Sequence, residues 1–397
     1  MAEEEAILLQ VPPGALKELH ALTNRDLHAH ENYAPIKIAY RFNDFVTPSS
    51  LLKSWHAVLE VHPAFGGHVI NTVNGKRIEC GTIPLQLRVV RVAPATFKNP
   101  LDWVALAVKY CSKRDALFQP MLLTTGRPSD GCVLVCVFDH TLGDAATFGI
   151  FMKAWSDAYS AVPFPHDWID LPSGVSRITP VPKTAQDGVL VKRFHFQRAR
   201  HALPPPSITG VIHQGVSTND RLMAQAACAL ARIHRDHTAP TARIALMVDP
   251  RGRGLPESYI GNAATSVSLH IPWEMLLTGQ HMDVAQHLRK ELIARLKELS
   301  QSPMSDAPPP TCNAFMWWNS WDTPAGGQAM AEASFGTAMP IPQFEWLNAW
   351  QTAVPRIFIL VPTTVKGSFY IQVALEAAIM QVLEQTWQRC MIEDMQI

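Results

Sequence analysis

His140 and Asp144 are the residues whose types and spacing best suit chemistry in this chain. An imidazole titrates near neutral pH, so it can take a proton from a hydroxyl or an amine. A carboxylate four positions on can orient such a ring, or brace the turn that carries it. Taken alone, an H-x-x-x-D is weak, because sixteen histidines give so short a pattern many chances to arise as a strand-end histidine beside a helix cap. The other candidates are weaker. The stretch from His28 through His30 to Glu31 suggests metal, but two ligands with no third at a workable spacing are weak support, and no metal is expected. No G-x-S-x-G, H-E-x-x-H, P-loop or G-x-G-x-x-G occurs, which removes support for the common hydrolase, zincin and nucleotide-binding readings. The seven cysteines are scattered without a C-x-x-C pair and read as reduced structural thiols. Trp317, Trp318, Trp321, Trp346 and Trp350 read first as core, and second as the wall of an aromatic acceptor pocket.

The elements around His140 give the pair its setting. The run from Gly131 to Phe138 is continuously apolar and reads as a buried strand. Residues 141–143 turn the chain, and Asp144 stands where a helix N-cap belongs. A helix over 145–159 follows, with Phe148, Phe151, Met152, Trp155 and Tyr159 as its apolar stripe. His140 is thus expected at a strand end, beside a helix N-terminus. Further strands are expected at 35–42, 85–92, 243–248, 264–269, 356–361 and 368–375. Amphipathic helices are expected at 49–61, 217–234 and 283–300, the second capped by Thr218 or Asn219. Both halves therefore mix α and β.

Prolines at 163, 165, 172, 180 and 182 forbid a continuous helix or central strand there and read as a crossover between two domains. A second break at 302–310 ends in three prolines. The hydrophobic fraction of 47% suffices for a large core, and 34 basic residues balance 34 acidic ones. Nothing offers the basic surface that nucleic acid or an anionic membrane requires. No apolar run approaches the ~20 residues of a bilayer span. The N-terminus lacks the pattern of a secretory signal, so a cytoplasmic location is expected.

Seven segments in order resemble the BAHD acyltransferase family of plants and fungi. Leu22-Thr23-Asn24-Arg25-Asp26 is similar to its L-S-x-x-D. Residues 65–68 and 74–80 resemble its A-G-R … G-R-x-x-x-x-C segment. His140 to Asp144 and the helix after it resemble H-x-x-x-D-G before F-x-x-A-W, with Ala145 where glycine is usual. Residues 216–220 resemble the start of its long second-domain helix. Residues 248–253 match V-D-x-R-x-R, residues 259–263 match Y-x-G-N-A, and Asn319-Ser320-Trp321 matches N-S-W. The family's D-F-G-W-G-x-P stands here as residues 334–340, Ser-Phe-Gly-Thr-Ala-Met-Pro, without its aspartate and tryptophan.

The resemblance implies an α/β fold of mixed α+β type, similar to chloramphenicol acetyltransferase. Two similar domains would each hold a mostly mixed or antiparallel sheet flanked by helices, with a channel between them. The first would span 1–165, with 312–338 returning to it. A crossover would occupy 166–189, and the second domain 190–311 and 339–397. The implied reaction moves an acyl group from acyl-CoA, a co-substrate and not a resident cofactor, to a hydroxyl or amine of a small specialised metabolite. The protein would act as a monomer, without nucleic acid or membrane. His140 would be the general base, and Asp144 a brace paired with Arg251. Arg253, Ser217, Asn262 and Ser266 would meet coenzyme A. Thr337 is the first candidate for oxyanion donor, with Asn319 and Ser320 as rivals. The altered residues 334–338 keep open a non-acylating binder, or a catalyst of intramolecular cyclisation, on the same fold. A condensation-type domain with a carrier-protein donor is a third reading.

Overall fold

The computed structural model describes residues 5–11, 18–22, 26–27, 35–111, 116–164, 169–170, 189–197, 215–233, 239–252, 255–301, 314–320, 329–346, 356–362 and 368–393. The fold is mixed α+β, with two compact units, each built on a six-stranded sheet. Unit 1 comprises Met1–Pro180, Leu255–Ala263 and Pro324–Gln351; unit 2 comprises Val181–Gly254, Ala264–Thr323 and Thr352–Ile397.

In unit 1 the strands are β1 (Glu5–Val11), β2 (Glu18–Ala21), β3 (Ile36–Phe42), β4 (His68–Thr72), β5 (Gly75–Cys80), β6 (Leu85–Arg91), β7 (Phe118–Thr124) and β8 (Cys132–Phe138). Its main sheet runs β1-β6-β7-β8-β3, closed at the edge by a later strand, Pro340–Trp346, which pairs antiparallel with β3. All seven residues of β8 are buried. The cause is cover on both faces, which lets a strand stay continuously apolar. Val133, Val135 and Val137 face the cluster formed with α2 (Pro94–Lys98) and α3 (Pro100–Cys111), following α1 (Pro48–Val61) in chain order. Cys136 and Phe138 meet Met152 and Phe148 of α4 (Ala145–Tyr159) on the other face. Phe151 stacks on Phe65 at 4.4 Å and meets Phe118 edge-on at 4.8 Å. The indole Nε1 of Trp155 donates to Leu51 O at 3.0 Å and Ser54 Oγ at 3.1 Å, locking α4 to α1. Each such aromatic contributes about 1.5–3 kcal/mol of burial, so α4 is held firmly where it leaves β8.

Unit 2 contains β10 (Val189–Gln197), β11 (Thr241–Val248), β13 (Thr265–Pro272), β14 (Met316–Ser320), β16 (Ile357–Pro362) and β17 (Ser368–Glu376), in the order β10-β17-β16-β14-β11-β13. The intervening labels fall to unit 1: β9 (Ile169–Asp170), β12 (Tyr259–Ile260) and β15 (Pro340–Trp346). One face of the unit 2 sheet packs Ile244, Leu246, Trp318, Phe358, Ile371 and Val373 into a core with the helices. Those helices are α5 (Thr218–Ile233), α6 (Trp273–Thr278), α7 (His281–Gln301) and, after α8 (Ala329–Glu332) of unit 1, α9 (Ala377–Glu393).

Three expected boundaries are corrected. The late segment that returns to unit 1 is Pro324–Gln351, so of the expected 312–338 only 324–338 lies there, and 312–323 stays in unit 2. The reason is strand pairing: β14 makes parallel ladders with β11 and β16 inside the unit 2 sheet, whereas β15 extends the unit 1 sheet at β3. Residues 339–351 therefore leave the second domain. An unexpected excursion, Leu255–Ala263, also joins unit 1. Within the expected crossover 166–189, Ile169 and Asp170 pair parallel with Tyr259 and Ile260, so this short piece is strand. The cap of α5 is Ser217, not Thr218 or Asn219: Asp220 N donates to Ser217 Oγ at 3.2 Å, and Ser217 N donates back to Asp220 Oδ2 at 2.7 Å. No described helix is long and apolar enough to cross a membrane.

Candidate active site

The site is built where β8 ends. Asp139 N donates to Leu117 O at 2.7 Å, carrying the β7–β8 ladder one residue past the strand. The buried Asp139 carboxylate then accepts from Thr141 N at 2.9 Å and from the Thr141 hydroxyl. Leu142 N donates to Asp139 O at 3.0 Å, and Gly143 N to His140 O at 3.3 Å, closing the turn. Gly143 has φ +146, and a Cβ there would lie 2.6 Å from Thr147 atoms, so the turn requires glycine. Asp144 is the N-cap of α4, its Oδ1 accepting from Thr147 N at 3.0 Å.

A second segment clasps this turn. Asp144 Oδ2 accepts from Ala263 N at 2.8 Å. Thr147 Oγ1 donates to Gly261 O at 2.8 Å and accepts from Gly261 N at 3.0 Å. Asn262 Nδ2 donates to His140 O at 2.6 Å and to Asp26 Oδ1 at 2.8 Å. These bonds explain why Leu255–Ala263 belongs to unit 1 although its chain neighbours do not. Through residues 131–144, His140 is the single residue that is not buried. The loop is thus fixed from below and from the side, and it offers one imidazole.

Burial lowers the pKa of His140 below its usual value, because the charged ring is desolvated. The carboxylates of Asp139 and Asp144, the Asn262 side chain and the Gly143 backbone oppose that shift in this order, and burial wins. At neutral pH the ring is therefore the neutral, proton-accepting form.

The other expected site residues fall as follows. Asp144 stands beside His140, as a cap and clasp. Asn262 braces the His140 loop, a position the coenzyme expectation did not anticipate. Ser217 is engaged in the α5 cap. Ser266 and Asn319 lie on the face of the unit 2 sheet away from its helix core, because their strand neighbours Val267 and Trp318 point into that core. By the same alternation Ser320, paired in register with core residue Leu360, points to the opposite side from Asn319. Arg251 is buried in unit 2, with Nη1 donating to Asp249 Oδ1 at 3.0 Å, whereas Asp144 belongs to unit 1. Arg253, His28, His30 and Glu31 lie outside the described residues.

Thr337 is corrected. Its hydroxyl donates to exposed Asp44 Oδ2 at 2.8 Å, and Gly336 N donates to Ser160 Oγ at 3.3 Å, just past the C-terminus of α4. Asp44 follows Phe42, whose register partner is Cys132 at the start of β8. His140 follows the other end of that strand, so about 20 Å of strand separates the two, at ~3.3 Å per residue. Thr337 cannot serve an oxyanion beside His140. Phe335 explains the segment's role: it packs edge-on against Phe42, Trp155 and Tyr159.

Sequence reasoning gave no role to Asp139, Thr141 or Thr147. The signal for the first was an acidic residue ending an apolar strand directly before the histidine. Trp318 is core, stacked on Phe358 and donating to Asn219 Oδ1 at 2.9 Å. Cys80, Cys111, Cys132, Cys136 and Cys228 are free and buried. Burial pushes the Cys111 and Cys228 thiols up to about 11 and Cys132 to about 12, which makes them poor nucleophiles.

No family model matches the chain, and no curated protein matches its sequence. Solved structures match its fold. Vinorine synthase aligns over 96% of this chain and 96% of its own, at 15% identity and a TM-score of 0.66. TRI101 of F. sporotrichioides, complexed with coenzyme A and T-2, aligns over 93% and 97%, at 14% identity and 0.63. The starter condensation domain of rhizomide synthetase RzmA, in complex with C8-CoA, aligns over 95% and 94%, at 14% identity and 0.59. Across nearly its whole length, this chain therefore has the mixed α+β fold of these proteins.

Proposed function

We propose that the chain transfers an acyl group from acyl-CoA to a hydroxyl or amine of a small acceptor, with His140 as general base. The observation that carries this is the His140 loop: one partly exposed, neutral imidazole in an otherwise buried and hydrogen-bonded turn. In the first step the imidazole takes the acceptor's proton as its oxygen or nitrogen attacks the thioester carbonyl. The C–S bond then breaks from the tetrahedral intermediate, and the imidazolium returns the proton to the departing thiolate. Atoms and charge balance without a resident metal or prosthetic group. The oxyanion of that intermediate needs a donor, commonly worth a few kcal/mol. With Thr337 removed, Asn319 and Ser320 are the remaining sequence candidates, and Asn319 is on the sheet face away from the helix core. Asp144 in this reading orients the His140 loop.

The fold neighbours support the donor class, since two of the three compared are complexed with coenzyme A or an acyl-CoA. The binder or cyclase alternative rested on the altered residues 334–338. That segment packs at the far end of β8 and α4, so its changes do not reach His140. The test is thiol release from acetyl-, malonyl- and longer-chain acyl-CoA across alcohol and amine acceptors. Wild type should release thiol in an acceptor-dependent way, and His140→Ala should lose at least 10²-fold in kcat, the usual contribution of a positioned base. Equal rates in both would remove His140 from the chemistry.

A further inference from the structure

Asp139 commits its backbone and its side chain to the turn that carries His140, and all of the residues involved belong to unit 1. Its N–H donates to Leu117 O at 2.7 Å, and its C=O accepts from Leu142 N at 3.0 Å. Its Oδ1 accepts from Thr141 N at 2.9 Å and from the Thr141 hydroxyl. A carboxylate that accepts the N–H two residues on closes a turn around the residue between, and here that residue is His140. The bond from Leu142 closes a second turn over the same residue. Leu117 is anchored in turn, its N–H donating to Gly67 O at 3.0 Å. A Cβ on Gly67 would lie 2.5 Å from Ile78 Cγ2 and 2.9 Å from Glu79 O, so that strand entry is packed without slack. An asparagine or a serine would close the turn at 139 equally well, without the cost of burying a charge. Asp139 is 5% exposed, where water screens a charge little. The carboxylate therefore answers to something besides the turn. The residue inside the turn is the one that gains a positive charge when its ring takes a proton.

We propose that Asp139 is the positioning residue of the base: its carboxylate fixes the backbone of His140 and supplies the countercharge for the imidazolium. This rests on the acyl-transfer reading and deepens it, because it gives the charged role to Asp139 and leaves Asp144 as cap and clasp. The charges on the loop itself are Asp139 and Asp144. The clasp carries Glu257, exposed, and Tyr259, buried, and Asp26 stands behind the Asn262 amide. Among the groups that raise the proton affinity of His140 against burial, Asp139 comes first and Asp144 second.

The test compares the full chain with its Asp139→Asn, Asp139→Ser and Asp139→Ala variants. The first two keep a neutral acceptor for Thr141 N, and the third removes it. The His140 ring is titrated by NMR on protein labelled with carbon-13 histidine, its signal assigned by its loss in His140→Ala, which requires no turnover. Thiol release from acetyl-CoA gives the acid limb of kcat/KM, and Tm reports folding. In both neutral-acceptor variants the His140 midpoint should fall by about one unit, a tenfold loss of proton affinity. On the plateau kcat should fall with it, by about three- to tenfold, because a weaker base takes the proton less readily. Asp144→Asn should move the midpoint less than half as far. Asp139→Ala should show the same shift and lose about a further 10²-fold in kcat, from a misplaced ring. An unmoved or raised midpoint in the neutral-acceptor variants overturns the proposal, as does a shift in Asp144→Asn as large as that in Asp139→Asn. So does failure of both neutral-acceptor variants to fold, which would make Asp139 a structural group. If the variants shift as stated while wild type releases no thiol, the transfer reading fails and the hold of Asp139 on His140 stands.

Discussion

Replacing Asn262 by alanine tests whether this side chain holds the base or holds coenzyme A. The wild-type amide makes one bond to the His140 carbonyl at 2.6 Å and one to the Asp26 carboxylate at 2.8 Å. A neutral bond is worth about 1 kcal/mol and a charge-assisted one about 1.5–3, so the variant should lose about 2.5–4 kcal/mol. In a unit of this size that lowers Tm by roughly 5–15 °C. Both bonds anchor the loop, so a shift of His140 by ~1 Å should cost about 10²-fold in kcat. The readouts are calorimetric coenzyme A affinity, steady-state kinetics and urea unfolding. Kd for coenzyme A should stay within about threefold while kcat collapses. An Asp26→Asn variant should reproduce the kcat loss, and the double variant should be less than additive, because the two residues share one bond. The reasoning is refuted if Asn262→Ala abolishes coenzyme A binding with kcat at saturation intact. That outcome would restore the sequence-based expectation of a coenzyme contact.

Two further outcomes follow from the same geometry. The acid limb of kcat/KM should have its midpoint below the ordinary histidine value of 6.5, because burial lowers the His140 pKa. The sign for stability is the same: the unfolded ring binds a proton first, so the contribution of His140 is present above pH 6.5 and lost as pH falls toward its folded pKa. A midpoint above 6.5 that moves in His140→Ala would contradict the burial argument. Thr337→Ala should leave kcat within about twofold, because its hydroxyl serves Asp44 beside the start of β8, far from His140. A hundredfold loss with unchanged Tm would return Thr337 to the reaction.

Local signals in the chain were reliable where one periodicity or one cap decided the outcome. The helix Ala145–Tyr159 and the strand Cys132–Phe138 have the expected ends, since Asp144 caps one and both faces of the other are covered. Strand partners were not legible. Nothing local distinguishes β14, which enters the second sheet beside β11, from β15, which closes the first sheet beside β3. That choice is made by long-range pairing, and it misplaced residues 312–323 and 339–351. Pattern also failed at Gln372, where an alternating strand places an amide on a buried face.

The spacing in H-x-x-x-D has a physical meaning that differs from an acid–base pair. Three residues separate His140 from Asp144 because a glycine turn must reverse the chain from β8 into α4. The two oxygens of Asp144 then bind two different segments, Thr147 of its own helix and Ala263 of the clasp. Its carboxylate acts on His140 through position and through a field that desolvation outweighs. An Asp144→Asn change should therefore act mainly through the clasp. The amide keeps one acceptor oxygen for Thr147 N or Ala263 N and faces the other with a donor, so one bond becomes a repulsion. Destabilisation by about 1–3 kcal/mol is expected, with the acid limb of kcat/KM moving only slightly. A large shift of that limb with unchanged Tm would show Asp144 to be a direct electrostatic partner of the base.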